Sequence, residues 1–171
     1  AFLSKVTDGS LARFLEDDFK PFFTFIKSEI AMTKPLPKPT LTLSPSDFGF
    51  HNALVRPDGS LAFFDFEYFG WDDPAKMVAD FYHHPAMHIP QNFREYIARR
   101  VYTSTGNKHA FIRRLPSVYL ATAAKWVIIM LNAFLVPSPL ARKKYQLNFA
   151  RAKIAMTKKE LQMRMYPLSL S

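Results

Sequence analysis

Leu43-Ser44-Pro45-Ser46-Asp47-Phe48-Gly49-Phe50-His51-Asn52 runs directly into Ala53 to Arg56, a turn at Pro57-Asp58-Gly59-Ser60, and an apolar stretch from Leu61 to Phe69. The turn has a physical basis: proline presets φ and glycine accepts positive φ, so the flanking stretches are predicted to form a β-hairpin. Alternation along the returning strand puts Asp65 and Glu67 on one face and Phe64, Phe66 and Tyr68 on the other. Asp47 and Asn52 lie five apart on the loop before the hairpin, and Asp65 follows Asp47 by eighteen residues. A hairpin returns the end of its second strand beside the start of its first, so the three side chains can converge. Two carboxylates and an amide oxygen are the hard oxygen donors that Mg²⁺ takes. A phosphoryl-transfer site needs such donors, and a carboxylate to orient the attacking hydroxyl.

Outward from this segment the chain reads as helical. Before it, Ser10 to Met32 carries Leu11, Phe14, Leu15 and Phe19 at helical spacing with Ser10 as N-cap, and Pro21 is expected to break or kink the helix or start a second one. Lys34 to Pro39 forces an extended connector. After it, Asp73 caps a helix with Pro74 in its first turn, running to about His83; Pro90 begins another through Tyr102; Gly106-Asn107 punctuates. Val118 to Val136 is apolar enough to raise a membrane span. Lys125, Thr122 and Asn132 favour a buried core helix ended by Pro137 and Pro139. The fold class is therefore α+β, mostly α, in one domain over residues 1–171, with loop and hairpin at 40–69 and a helical part at 73–166.

The order and spacing of three motifs resemble the aminoglycoside phosphotransferase and choline kinase group of kinase-like enzymes. That group reads His-Gly-Asp-x4-Asn, then Ile-Asp-Phe/Trp-Glu/Gly, then Gly-x-Gly-Asp-Pro. This chain offers Asp47 to Asn52, then Phe64-Asp65-Phe66-Glu67, then Gly70-Trp71-Asp72-Asp73-Pro74. The resemblance implies a protein kinase-like C-lobe with its N-lobe absent, and an ATP- and Mg²⁺-dependent transfer of the γ-phosphoryl group to a small-molecule hydroxyl. It implies Asp47 as the catalytic aspartate, with Asn52 and Asp65 as the metal and nucleotide ligands. His51, Glu67 and Asp72 stand second as candidates near metal or acceptor. Asp47-Phe48-Gly49 spells the metal motif of protein kinases, but that register leaves no Asp-x4-Asn upstream, whereas the other fills every role.

Two positions depart from the pattern: Pro45 stands where the family has histidine, and Met77 where it has an aspartate. The five glycines form no phosphate-cradling loop, and no strand-borne lysine with a helix glutamate precedes Asp47, so a missing N-lobe segment is expected to supply most of the ATP pocket. Ala1 to Lys5 shows neither initiator Met nor signal-peptide layout, and the chain is read as an excised piece that is a poor catalyst alone. The alternative is a kinase-like lobe that has lost activity and serves as a binding or scaffolding module.

The absence of cysteine excludes disulfides, zinc thiolates and thiol nucleophiles, and is compatible with the cytoplasm. The net charge of +9 lies largely in the tail, from Arg142 to Arg164. A helix there puts Leu140, Leu147, Ile154 and Leu161 on one stripe beneath a solvated basic face. Aromatic residues are not interleaved with these charges as in a nucleic-acid module, so no nucleic-acid partner is expected. His83, His84 and His88 read as a capping or surface cluster, with a metal site as the sharper alternative.

Overall fold

The computed structural model describes residues 8–31, 38–47 and 49–162. The protein is α+β and mostly helical. Its elements are α1 (Gly9–Arg13), a π-helical segment (Phe14–Phe19), α2 (Lys20–Ala31), β1 (Thr42–Ser44), a 3₁₀ turn (Phe50–Asn52), β2 (Ala53–Val55), β3 (Leu61–Phe63) and β4 (Gly70–Asp72), then α3 (Pro74–His83), α4 (Gln91–Ser104), α5 (Lys108–Met130), a 3₁₀ turn (Leu131–Phe134) and α6 (Leu140–Gln162). Where the sequence reads as one domain, the chain groups into two compact units. One is Ala1–Lys34 with Ala123–Arg164; the other holds Pro35–Thr122.

In the first unit the N-cap is Asp8, not Ser10. The Asp8 carboxylate accepts from the amides of Ser10 at 2.9 Å and Leu11 at 3.2 Å, which starts the helix earlier than expected. Its hydrogen bond from the Ser10 hydroxyl, first among several causes, holds the Asp8 carboxyl below the ordinary value. Pro21 stands in the first turn of α2, one of the outcomes expected for it. Just ahead of it the Lys20 amide reaches back five residues to the Leu15 carbonyl, and this widened turn relieves the clash a proline ring makes with the carbonyl four residues earlier. Leu11, Phe14, Phe22 and Ile26 are buried, as are Leu147, Ala150 and Ile154 of α6.

The tail helix corrects the reading in two places. Leu140 is exposed, while Lys153, assigned to the solvated face, is buried. Arg13 and Asp17 on one side, and Lys143, Lys144, Leu147 and Arg151 on the other, line a cleft of about 470 Å³. Arg151 there binds Asp18 at 2.9 Å.

The second unit packs around α3. Ala75, Val78, Ala79, Phe81 and Tyr82 meet Ile89, Ala98, Phe111, Leu115 and Tyr119. The Asp73 carboxylate caps α3 through the Ala75 amide at 2.9 Å, with Pro74 in the first turn as read. Its other oxygen receives Arg114 at 2.7 and 2.8 Å. The hydroxyl of Tyr82 donates to the Arg94 carbonyl, and burial, the largest effect on it, raises its pKa.

His83 corrects the surface reading. It is fully buried, its ring 4.1 Å from that of Tyr119, and its Nε2 lies 3.1 Å from the Tyr119 carbonyl. Lys108–Phe134 is long and apolar enough to cross a membrane by length and composition, and 56% of its apolar window is buried. Lys34 to Pro37, read as an extended connector, lie outside the described residues, as does the tail beyond Gln162.

Candidate functional site

Two short ladders build the site. β2 and β3 pair antiparallel, with Ala53 opposite Phe63 and Val55 opposite Leu61, as the turn chemistry requires. Gly59 closes the turn at φ 81° with its amide on the Arg56 carbonyl at 2.9 Å. The second ladder was not legible: β1 pairs β4, with Thr42 opposite Asp72 and Ser44 opposite Gly70. The loop 45–52 runs from β1 to β2, and the segment 64–69 runs from β3 to β4. Both ends of one connection are therefore tied to both ends of the other. Asp47 and Asn52 lie on the first, Asp65 and Glu67 on the second.

The returning strand is shorter than expected, and its alternation stops at Phe63. The Phe64 amide makes a last ladder bond to the Asn52 carbonyl at 3.1 Å; Asp65 then turns into the left-handed region at φ 61°. Ser46, just before Asp47, is also left-handed, at φ 59°. Among the described residues these are the non-glycine positions with positive φ. Each such backbone costs on the order of 1–3 kcal/mol, and strain of this kind gathers at functional sites. Here one instance immediately precedes Asp47 and the other is Asp65 itself.

Asn52 is buried and its amide nitrogen turns back onto the loop, 3.0 Å from the Asp47 carbonyl and 3.5 Å from Asp47 Oδ2. Its amide oxygen is the atom left for a cation. The Tyr68 hydroxyl reports on the nearby charge. A hydrogen bond to Glu67, followed by the charge of Glu67 and burial, raises it above the usual phenol range, and Asp65 and Asp47 add to the effect. For Mg²⁺ the residue types are chemically suitable, an amide oxygen and a carboxylate, and the Asn52 carbonyl accepts from the Phe64 amide, one residue before Asp65.

Asp72 does not join them. It binds Lys76 and accepts from the Asp73 amide at 2.8 Å, so its carboxylate serves the start of α3. Lys76 also reaches Asp80 at 3.1 Å.

Asp47 Oδ1 faces two imidazoles. His51 Nε2 lies 3.4 Å away and His84 Nε2 3.3 Å away, and the two rings stack at 4.2 Å with planes 10° apart. His51 was legible from its place in the loop. His84 was singled out only as part of a histidine run, and it arrives from the end of α3. His88 is exposed. Among the described residues, Asp47, His51 and His84 form the acid–histidine group whose ligand atoms all lie within 4.8 Å of one another.

Gly49 makes room for this arrangement. A Cβ there would stand 2.6 Å from His51 Nδ1 and 2.6 Å from Met87 Sδ. Gly49→Ala is therefore expected to displace the His51 ring from Asp47, visible as shifted imidazole signals in ¹⁵N NMR. Because the atoms met belong to movable side chains, the stability loss should stay near the low end of overpacking, about 1 kcal/mol. Unchanged His51 signals would show that the glycine is not needed for the ring's position.

Pro45 and Met77, the two departures from the phosphotransferase pattern, line one apolar hollow of about 190 Å³ with Val78, Phe81, Ile97 and Val101. Two polar positions of the pattern are here apolar together. Comparisons with protein-family models, curated proteins and solved structures found no match to this chain.

Proposed function

We propose that this chain is the C-lobe of a kinase-like phosphotransferase that moves the γ-phosphoryl group of ATP to the hydroxyl of a small molecule. The reading is supported by the pairing of the two connections, which ties the loop carrying Asp47 and Asn52 to the segment carrying Asp65 at both ends, and by the left-handed backbone of Ser46 and Asp65. Phosphoryl transfer depends on positioning and charge placement. Among the described residues Asp47 Oδ2 has the 3.5 Å contact to the Asn52 amide, and this is the oxygen we assign to orienting a hydroxyl and taking its proton. His51 and His84 hold Oδ1, and Asn52 holds the loop carbonyl. Asn52 and Asp65 are the residues for Mg²⁺, which when bound neutralises phosphate charge. Leu54, Val55, Phe66, Tyr68, Phe69 and Trp71 are exposed around the hairpin, consistent with a further segment covering this side and completing the nucleotide pocket.

Mn²⁺, as a paramagnetic stand-in for Mg²⁺, tests the metal role in the chain as it is. Amide signals of Asn52 and Asp65 should broaden selectively, excess Mg²⁺ should restore them, and Asp65→Asn should abolish the effect. Uniform broadening, or none, would overturn the assignment. Mg²⁺-dependent nucleotide binding without transfer to any alcohol would instead favour the second reading, a kinase-like binding module that has lost activity.

A further inference from the structure

Asp47, His51 and His84 are drawn from a loop and from the end of a helix 33 residues beyond it, and one carboxylate oxygen faces both ring nitrogens. A tetrahedral zinc ion about 2.0–2.1 Å from each ligand sets its ligand atoms about 3.3 Å apart. The two oxygen–nitrogen separations, 3.3 and 3.4 Å, already have that value. The side chains are partly buried and reachable, with Asp47 35%, His51 25% and His84 11% exposed. The Asn52 amide beside Oδ2 steadies the carboxylate from outside, as supporting hydrogen bonds do around metal ligands.

We propose that Asp47 Oδ1, His51 Nε2 and His84 Nε2 form a site for a borderline divalent transition metal, Zn²⁺ above all, with the fourth position open to water. Imidazole and carboxylate donors favour such ions, whereas Mg²⁺ prefers oxygen alone. Two adjustments accompany binding. The rings are parallel, so His51 on the exposed loop turns out of the stack to aim its lone pair at the ion. His84 Nδ1 accepts from the Ala86 amide at 3.2 Å, so the proton of His84 moves from Nε2 to Nδ1 and that bond is given up. Ala86 is exposed and water replaces the partner, a cost on the order of tenfold in affinity. Ligation by three side chains outweighs it by several orders of magnitude. The metal would hold the oxygen opposite the one assigned to proton acceptance, and its charge would suppress the basicity of Asp47. If the phosphotransferase reading holds, zinc is an inhibitor of that reaction.

Co²⁺ titration of the chain, freed of any affinity tag and without nucleotide, reads the site directly. One equivalent should produce the intense visible d–d absorption of a four-coordinate ion, displaced by Zn²⁺ and not by millimolar Mg²⁺. His84→Ala, His51→Gln and Asp47→Asn should each weaken binding by about 100-fold or more, taking supporting-residue losses of 10–100-fold as the floor. His88→Ala should leave it unchanged. His51→Gln, on the exposed loop, keeps the test valid should His84→Ala fail to fold. Absent Co²⁺ absorption, or binding unaffected by His51→Gln and Asp47→Asn, would overturn the site. Neither result bears on Mn²⁺ at Asn52 and Asp65.

Discussion

Asp73→Ala should lower the stability of the unit holding α3 by about 3–5 kcal/mol. The carboxylate has two tasks. One oxygen caps α3 through the Ala75 amide, worth about 1 kcal/mol. The other binds the guanidinium of Arg114, and both side chains are less than a fifth exposed. Removing one member of such a pair leaves a charge where water reaches it poorly, and the loss is commonly 3–5 kcal/mol. The two contributions share one carboxylate, so they are not summed. Against a typical total of about 5–15 kcal/mol the change is large. Urea midpoints and hydrogen exchange at the α3 amides would measure it. Asp73→Ser separates the parts, since serine keeps a capping oxygen but cannot answer the guanidinium. Adding Arg114→Met to Asp73→Ser should recover most of the loss. A cost below about 1 kcal/mol for Asp73→Ala would show that the pair is solvated enough to be dispensable.

On the proposed phosphotransferase reading, Asp47→Asn should reduce phosphoryl transfer by about 10²–10⁴-fold, the usual contribution of a positioned proton acceptor, and should leave the Mn²⁺ signature expected at Asn52 and Asp65 in place. Asparagine keeps the shape, and its amide can still face the loop, but it takes no proton from a hydroxyl. Asp65→Asn should lose transfer by losing the cation, so its Mn²⁺ signature disappears as well. The contrast identifies the two roles better than either activity loss alone. The assay needs the complete nucleotide pocket, so rates belong to the chain together with whatever segment covers the hairpin, while the Mn²⁺ measurement belongs to this chain. Transfer by Asp47→Asn within tenfold of the original would remove Asp47 from proton acceptance. Retained Mn²⁺ broadening in Asp65→Asn would move the cation elsewhere.

Local chemistry was legible. Asp73-Pro74 starts α3 because a carboxylate accepts amide hydrogens and proline has none to leave unsatisfied, both settled within four residues. The turn at Pro57 to Ser60 likewise depends on the φ preferences of its own residues. Asp8 and not Ser10 caps the helix because its carboxylate takes the amides of Ser10 and Leu11, which already places Ser10 inside the first turn. Pro21 stands in the first turn of α2, one of the places expected for it, and the wider turn ahead of it makes room for the ring.

The sequence by itself determined a mostly helical α+β chain, a hairpin behind an Asp-x4-Asn loop, and the residue types able to hold a cation or take a proton. Only the tertiary structure decided which of those residues meet. β1 is three residues long and finds β4 nearly thirty positions later, a pairing no local periodicity reveals. That ladder lies at the other end of the Asp47 loop and the Asp65 segment from the hairpin, so the two connections are joined at both ends. Asp65 left the strand because backbone geometry at the end of the ladder overrode alternation. His84 reached Asp47 because α3 packs its apolar face into the core, which carries its last turn toward the loop. Those outcomes belong to packing, where burial of α3 and pairing of short strands outweigh the preferences of any single residue.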